Sequence, residues 1–258
     1  MRFKRVWVIT AVLAAALMSL TTLLRPLQTV HSAPEATTIL YNSSLGTTPD
    51  QQNFSYVALN PQPPFTVQAS QAYSAPVTVL NSLNQLADYA GYTVNPSAMP
   101  TLNRAAGFRL SLHLRVIAES HSNNNRAGFN VILLSENLYG VELAFWEDEI
   151  WVQEGNGAQL FTHAEGMAYD TTAALTHYEL TMTGQTYMLA ANGVPLLSGP
   201  LRQYTEWVPT LPVDPYEVPN QLFLGDDTTA AGAEVWLGDV SITINNFTIF
   251  LPFISNEP

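Results

Sequence analysis

The chain of 258 residues has no cysteine and a single lysine, Lys4. The missing cysteine excludes a disulfide framework, thiolate metal sites and cysteine catalysis. Basic residues are scarce throughout. After residue 33 only five arginines (104, 109, 115, 126 and 202) stand against all 21 acidic residues, a formal charge of −16. Such a surface gains nothing by counterion release and repels nucleic acid and anionic lipid. It also disfavours strongly anionic polysaccharides, and it leaves neutral sugars, cations and basic partners. No Gly-x-Ser-x-Gly elbow, phosphate loop or dinucleotide fingerprint occurs. His113, His121, His163 and His177 lack zinc spacing, and there is no EF-hand loop. No amphipathic helix of useful length is written anywhere; at most a short helical turn falls near Asn81–Asp88.

Only one apolar run is long, and it lies at the start. A basic head, Met1–Arg5, precedes uncharged Val6–Leu20, and Val30-His31-Ser32-Ala33 follows. Basic, apolar, then small residues is the order of a secretory signal peptide. Ser32 is the preferred last residue of the leader, because a cut after Ala33 would place Pro34 beside the scissile bond. The alternative is an uncleaved anchor, since Val6–Leu24 approaches the ~20 residues that span a bilayer; the Thr and Ser residues near its end weigh against it. The mature chain, with no other apolar run long enough to span, is expected to be secreted or displayed at the cell surface. The tail Ile249–Ile254 is apolar but too short to span.

About 225 residues remain after cleavage. That is enough to bury a core without cross-links, and one domain is the simplest count. The expected division is a signal peptide at 1–32, one domain at 33–248 and a tail at 249–258. From residue 105 to 245 strand-length segments alternate with turn signals. Phe108–Ile117 places Leu110, Leu112, Leu114 and Val116 on one face and Arg109, Ser111, His113 and Arg115 on the other. Further strands read at Ala127–Leu134, Gly140–Trp146, Ile150–Gln153, His177–Thr183, Thr186–Ala191, Gln221–Leu224, Val235–Leu237 and Val240–Ile244. Gly184-Gln185 and Asn192-Gly193 sit where hairpin turns belong. In residues 33–105 only Thr38–Tyr41 and Ser55–Leu59 read as strands. Pro-rich Trp207–Pro219 reads as loop.

Two stretches carry a resemblance. HYELTMTGQTYMLAANGVPLLSGPLRQY (177–204) and QLFLGDDTTAAGAEVWLGDVSI (221–242) resemble central and closing strands of concanavalin A-like and laminin G-like jelly rolls. RAGFNVILLSENLYGVELAFWEDEIWVQ (126–153), with LFTHAEG (160–166), LFLGDDTT (222–229) and Glu119-Ser120-His121, resembles the bacterial secreted "choice-of-anchor Y" family. The resemblance implies an all-β, two-sheet antiparallel jelly-roll sandwich, exported or surface-displayed. It supplies no reaction and no catalytic residues. The tail lacks the membrane span and basic end of anchored members.

Four groups are candidate sites. If Asp148-Glu149 is a two-residue turn, Trp146 faces Trp151, and Trp146, Trp151, Gln153, Ala144 and Glu142 share one face. Two indoles flanked by amide and carboxylate would stack on sugar CH groups and bond hydroxyls; a purely structural aromatic pair is the alternative. Glu147-Asp148-Glu149 with Glu142 does not supply two carboxyls flanking a bond and reads as a solvated turn. Glu119, His121 and Arg126 would form an acid–base or ligand-orienting set near neutrality; the alternative is a loop that Arg126 fixes by pairing with an acid such as Glu119. Asp239, Asp226 and Asp227 are hard oxygen donors suited to a structural calcium, Asp239 because jelly rolls of this type hold one near the last strand. The leading expectation is therefore a non-catalytic recognition or surface module for a neutral polysaccharide or surface polymer. A glycan-active hydrolase or lyase and a structural envelope or adhesion protein are the alternatives.

Overall fold

The strongest alternation in the sequence forms one of the two longest strands. The computed structural model describes residues 35–155, 157–208 and 214–245. The leader, its cleavage point and the tail at 249–258 lie outside the described residues. Fifteen strands run in chain order: β1 Ala36–Tyr41, β2 Phe54–Leu59, β3 Ser70–Ser74, β4 Val77–Asn81, β5 Tyr89–Val94, β6 Phe108–His121, β7 Asn130–Leu134 and β8 Gly140–Phe145. They continue as β9 Glu149–Gln153, β10 His163–Ala168, β11 Thr176–Thr183, β12 Thr186–Ala191, β13 Val194–Pro200, β14 Leu222–Asp226 and β15 Ala231–Ile244.

The strands form two antiparallel sheets, the jelly-roll sandwich that the sequence predicts. One has eight strands in the order β13-β12-β11-β6-β15-β4-β3, with β1 added on β15; the other has seven, β10-β9-β8-β7-β14-β5-β2. β15 is one strand where the sequence suggests two. A bulge between Leu237 and Val240 divides it, so β4 pairs with Glu234–Leu237 and β1 with Val240–Ile244. Both hairpin turns fall as predicted. Asn192 (φ 50°) and Gly193 (φ 78°) give the two positive φ angles that a type I′ turn requires.

The core lies between the sheets. Leu110, Leu112, Leu114 and Val116 of β6 meet Val131, Leu133, Val141, Leu143, Phe145, Ile150 and Val152 of the facing sheet, all buried. Five strands escape the sequence reading: β3, β4, β5, β10 and β13. Gly91 in β5, Gly166 in β10, and Pro195 and Gly199 in β13 dilute the alternation there, and β3 and β4 are only five residues each. Residues 82–88 form turns rather than a helix. No helix among the described residues is long and apolar enough to cross a membrane.

The outer face of the seven-stranded sheet is not bare. β7 and β8 are buried on both faces, because loop residues 122–129, 157–162, 203–208 and 214–220 fold over them. This produces two small apolar clusters, Ile132/Leu134/Tyr204/Tyr216 and Ala127/Ala144/Trp151.

Candidate functional site

Two transverse rows of side chains cross the outer face of the seven-stranded sheet. The first runs Ser55, Thr93, Phe223, Ile132, Glu142 across β2, β5, β14, β7 and β8. Continuing the β8–β9 register brings Gln153 beside Glu142. The second runs Val57, Gly91, Gly225, Asn130, Ala144, Trp151. Two glycines leave the middle of this row without side chains. The ring of Phe223 leans into that space, 2.6 Å from where a Cβ on Gly91 would stand. The result is a cleft of about 590 Å³ with Phe161, Trp207 and Tyr216 at one side and Val57, Tyr89 and Thr93 at the other.

At the bottom of the cleft three groups meet. The Tyr216 hydroxyl donates to Glu142 Oε2 at 2.5 Å and stands 3.4 Å from Asp227 Oδ2. The Glu142 and Asp227 carboxyls thus converge on one phenol hydroxyl. Asn130 Nδ2 donates to Asp227 Oδ1 at 2.7 Å. Tyr216 is positioned by a short 3-10 turn, Pro215–Glu217, which Asp214 caps by accepting from the Tyr216 amide. Glu142 is anchored through its amide, which donates to Tyr204 Oη at 3.0 Å.

Burial dominates the electrostatics here. It pushes Glu142 well above the ordinary glutamate range, and the neighbouring Asp227 adds to the push. Asp227 itself is pushed up to about 6 by desolvation, against the attraction of Arg126. Two neighbouring carboxyls do not ionise independently, and burial of this pair favours its keeping a proton. Asp226, facing the other side of β14, is likewise pushed well up by burial. Arg126 is the nearby cation. Its Nη1 donates to the carbonyls of Asn125 and Phe161, and its guanidinium lies 5.5 Å over the Phe161 ring.

The structure corrects the hairpin register. Trp146 N–H donates to the carbonyl of Glu149 and Ala144 pairs with Trp151, so Glu147-Asp148 is the turn. The two-residue slip preserves the face, and Glu142, Ala144, Trp151 and Gln153 lie on it together. The indoles do not form open plates. Trp151 has no exposed surface; His163 stacks on it at 4.2 Å and Trp146 meets it edge-on at 5.4 Å. Trp146 is half-buried, with His121 stacked on it at 4.3 Å and its Nε1 donating to the carbonyl of Arg126. Of that group only Glu142 and Gln153 line the cleft.

The set Glu119, His121 and Arg126 divides. His121 Nδ1 pairs with Glu119 Oε2 at 2.8 Å, and Glu119 Oε1 accepts from Gly128. Arg126 turns to the cleft and binds carbonyls instead of Glu119. The three aspartates also divide. Asp226 and Asp227 end β14, whereas Asp239 sits in the β15 bulge on the other sheet. There its Oδ1 accepts from both the amide and the hydroxyl of Ser43. Asp239 is thus an exposed carboxylate with one oxygen engaged by Ser43, on a different sheet from Asp226 and Asp227. Among the described residues no three His, Asp or Glu side chains are gathered for a metal. Phe161, Trp207, Tyr216 and Asn130 escape the sequence reading. The only available signal was the aromatic content of the Pro-rich loop at 207–219.

No protein-family model matches the chain, and no curated protein does. Solved structures do match. A conserved carbohydrate esterase from Shiga toxin-encoding bacteriophage phi24B aligns with a TM-score of 0.53 at 12% identity, over 82% of this chain and 100% of that one. Alginate lyase A1-II′, of polysaccharide lyase family 7, aligns at 0.44 and 10% identity, over 74% and 95%. The CBM2 module of the evolved Dit of Lactobacillus casei BL23 phage J-1 aligns at 0.45 and 11%, over 84% and 100%. These likenesses are to the jelly-roll sandwich alone.

Proposed function

We propose that this protein is an extracytoplasmic, non-catalytic saccharide-recognition module that holds its ligand in the outer-face cleft of the seven-stranded sheet. One observation carries the reading. The cleft combines aromatic walls, Phe161, Trp207 and Tyr216, with polar groups at its floor, the buried Glu142 and Gln153 and the half-buried Asp227. Its volume lies in the ~300–1,000 Å³ range of small-molecule sites. Carbohydrate chemistry in the names of the matched structures agrees with this reading. Export rests on the leader-like first 32 residues and on the resemblance to a secreted, variously anchored family. The ligand-bearing surface moves from the Trp146/Trp151 plates to the cleft beside them.

The test is a screen against immobilised oligosaccharides using the wild type and Val57→Trp. Val57 is 37% exposed on β2 and lines the cleft, so the indole would fill the space without entering the core. Retention of a glycan by the wild type and a tenfold or greater loss in Val57→Trp is expected. No retained glycan, or retention indifferent to the blocking indole, would sink the proposal.

A second reading, a glycan-active hydrolase or lyase, draws on the proton shared by Glu142 and Asp227. Glycosidases place their two carboxyls about 5–5.5 or 6.5–9.5 Å apart, flanking the bond. Here both carboxyls gather around the Tyr216 hydroxyl at the cleft floor instead of flanking a bond from opposite sides. Release of reducing ends from a bound glycan, abolished in Glu142→Gln, would favour this second reading.

A further inference from the structure

The cleft floor has more hydrogen-bond acceptors than donors. Gln153 is 1% exposed, and its Nε2 donates to the carbonyl of Asn125 at 3.1 Å. That bond fixes the amide's orientation, and Oε1 is left without a partner among the described residues. Asn130, also 1% exposed, donates through Nδ2 to Ala127 and Asp227. Its Oδ1 is likewise without a partner among the described residues. Neither amide can flip to become a donor without breaking these bonds. A buried acceptor left unmatched costs about 1–3 kcal/mol, so a ligand that brings a donor to Gln153, the one of the two amides that lines the cleft, recovers energy there.

Charge points the same way. Two carboxyls are held close together by Tyr216 and Asn130, with the guanidinium of Arg126 as the nearby positive group. Its Nη1 is spent on carbonyls. Resting on the saccharide-recognition reading, the geometry points to a saccharide bearing a free ammonium group as the ligand, its ammonium seated against Asp227 and Glu142 and its hydroxyls donating to Gln153. An ammonium has three donors and no acceptor. It also gains from lying against aromatic faces, which Tyr216 and Phe161 supply here. An N-acetylated sugar loses the charge and two of the three donors. A uronate would set a third carboxylate against the pair. A divalent ion is the poorer fit, since the Tyr216 hydroxyl occupies Glu142 Oε2 and no third carboxylate completes a shell.

Proton linkage gives the proposal a signature. The empty site keeps a proton on the Glu142–Asp227 pair because burial disfavours charge. An arriving ammonium favours the ionised pair, so binding releases a proton. Of the other groups near the pair, Arg126 stays cationic, burial raises the hydroxyls of Tyr216, Tyr204 and Tyr89 further above neutrality, and Asp226 at the end of β14 is a second carboxyl that burial holds protonated. Affinity is therefore expected to rise as pH increases through about 6, the value for Asp227, and to fall again at higher pH as the sugar's own ammonium loses its proton.

Isothermal titration of the purified protein at pH 5.5, where the sugar amines are charged, tests this, with a β-1,4-linked glucosamine tetramer, its N-acetylated counterpart, cellotetraose and tetragalacturonate as probes. The glucosamine tetramer should bind at least tenfold more tightly than the two uncharged tetramers, and tetragalacturonate should not bind. Its enthalpy should vary with buffer ionisation heat in the sense of proton release. Asp227→Asn and Glu142→Gln, each near-isosteric, should both erase the preference. If cellotetraose or the N-acetylated tetramer binds as tightly, or no proton is released, the ammonium inference fails while saccharide recognition stands. If no tetramer binds, both fail.

Discussion

Replacing Asp227 by asparagine should stabilise the protein at neutral pH. A carboxyl displaced from 3.8 to about 6 corresponds to ~3 kcal/mol, at about 1.4 kcal/mol per pH unit, carried by the folded state when the group is ionised. Partial opening of Asp227 to the cleft screens some of this. Loss of the Arg126 attraction and coupling to Glu142 remove more, leaving an expected gain of about 1–2 kcal/mol. The asparagine oxygen retains the bond from Asn130. The sign follows from linkage. The folded state binds this proton more tightly than the unfolded chain, so stability is greatest near or below pH 4 and declines as pH rises through about 6. Glu142 and Asp226, also raised, act in the same direction. Urea denaturation of both proteins at intervals from pH 4.5 to 7.5 measures it. Wild type should lose stability across the range, and Asp227→Asn should lose less and exceed it at pH 7.5, by roughly 2–8 °C in Tm. A variant no more stable than wild type at pH 7.5, or a wild type that gains stability as pH rises, refutes the reasoning.

Other substitutions probe the scaffold. Trp151→Ala empties a fully buried indole site between Ala144 and His163 and should cost about 3–5 kcal/mol by denaturant titration. Arg202, 7% exposed, binds Glu154 at 2.9 Å and also Glu165. Arg202→Met strands both carboxylates and should cost ~3 kcal/mol or more. Burial would raise Glu165, but hydrogen bonds from Arg202 and Tyr187 outweigh it and hold the carboxyl low. That contribution is present above the ordinary glutamate value and lost as pH falls through the lowered one, so the Arg202→Met deficit should shrink below pH 4. Gly91→Ala would set a Cβ 2.6 Å from the Phe223 ring and 2.7 Å from the Leu224 carbonyl. It should destabilise by about 1–3 kcal/mol, read from the same titrations.

The sandwich was legible where strands alternate cleanly. β6, β11 and β12 were placed to within a few residues because half their positions enter the core and half meet solvent or polar loops. Ala127–Leu134, which contains β7, is apolar on both sides, as a strand covered on both faces is. What covers β7 and β8 comes from loop residues at 157–162, 203–208 and 214–220, whose backbone path no periodicity encodes. The cleft therefore stayed hidden. Glu142 and Gln153 were singled out for their share of a face with two indoles, and that face is correct. Their real partners, Tyr216 and Asp227, lie 74 and 85 positions beyond Glu142 and meet it only through sheet order. The aromatic plates misled for a related reason. Sequence puts Trp146 and Trp151 on one face but does not show His121 and His163 stacked on them.

The central claim is that the outer-face cleft holds a saccharide. It is tested most directly by titrating the glucosamine tetramer into isotopically labelled protein and following backbone amide resonances. The account predicts perturbations concentrated at Tyr89, Thr93, Glu142, Gln153, Phe161 and Asp227, saturating with ligand and absent in Val57→Trp. Perturbations confined to the outer face of the eight-stranded sheet, or none with any tetramer, would contradict it.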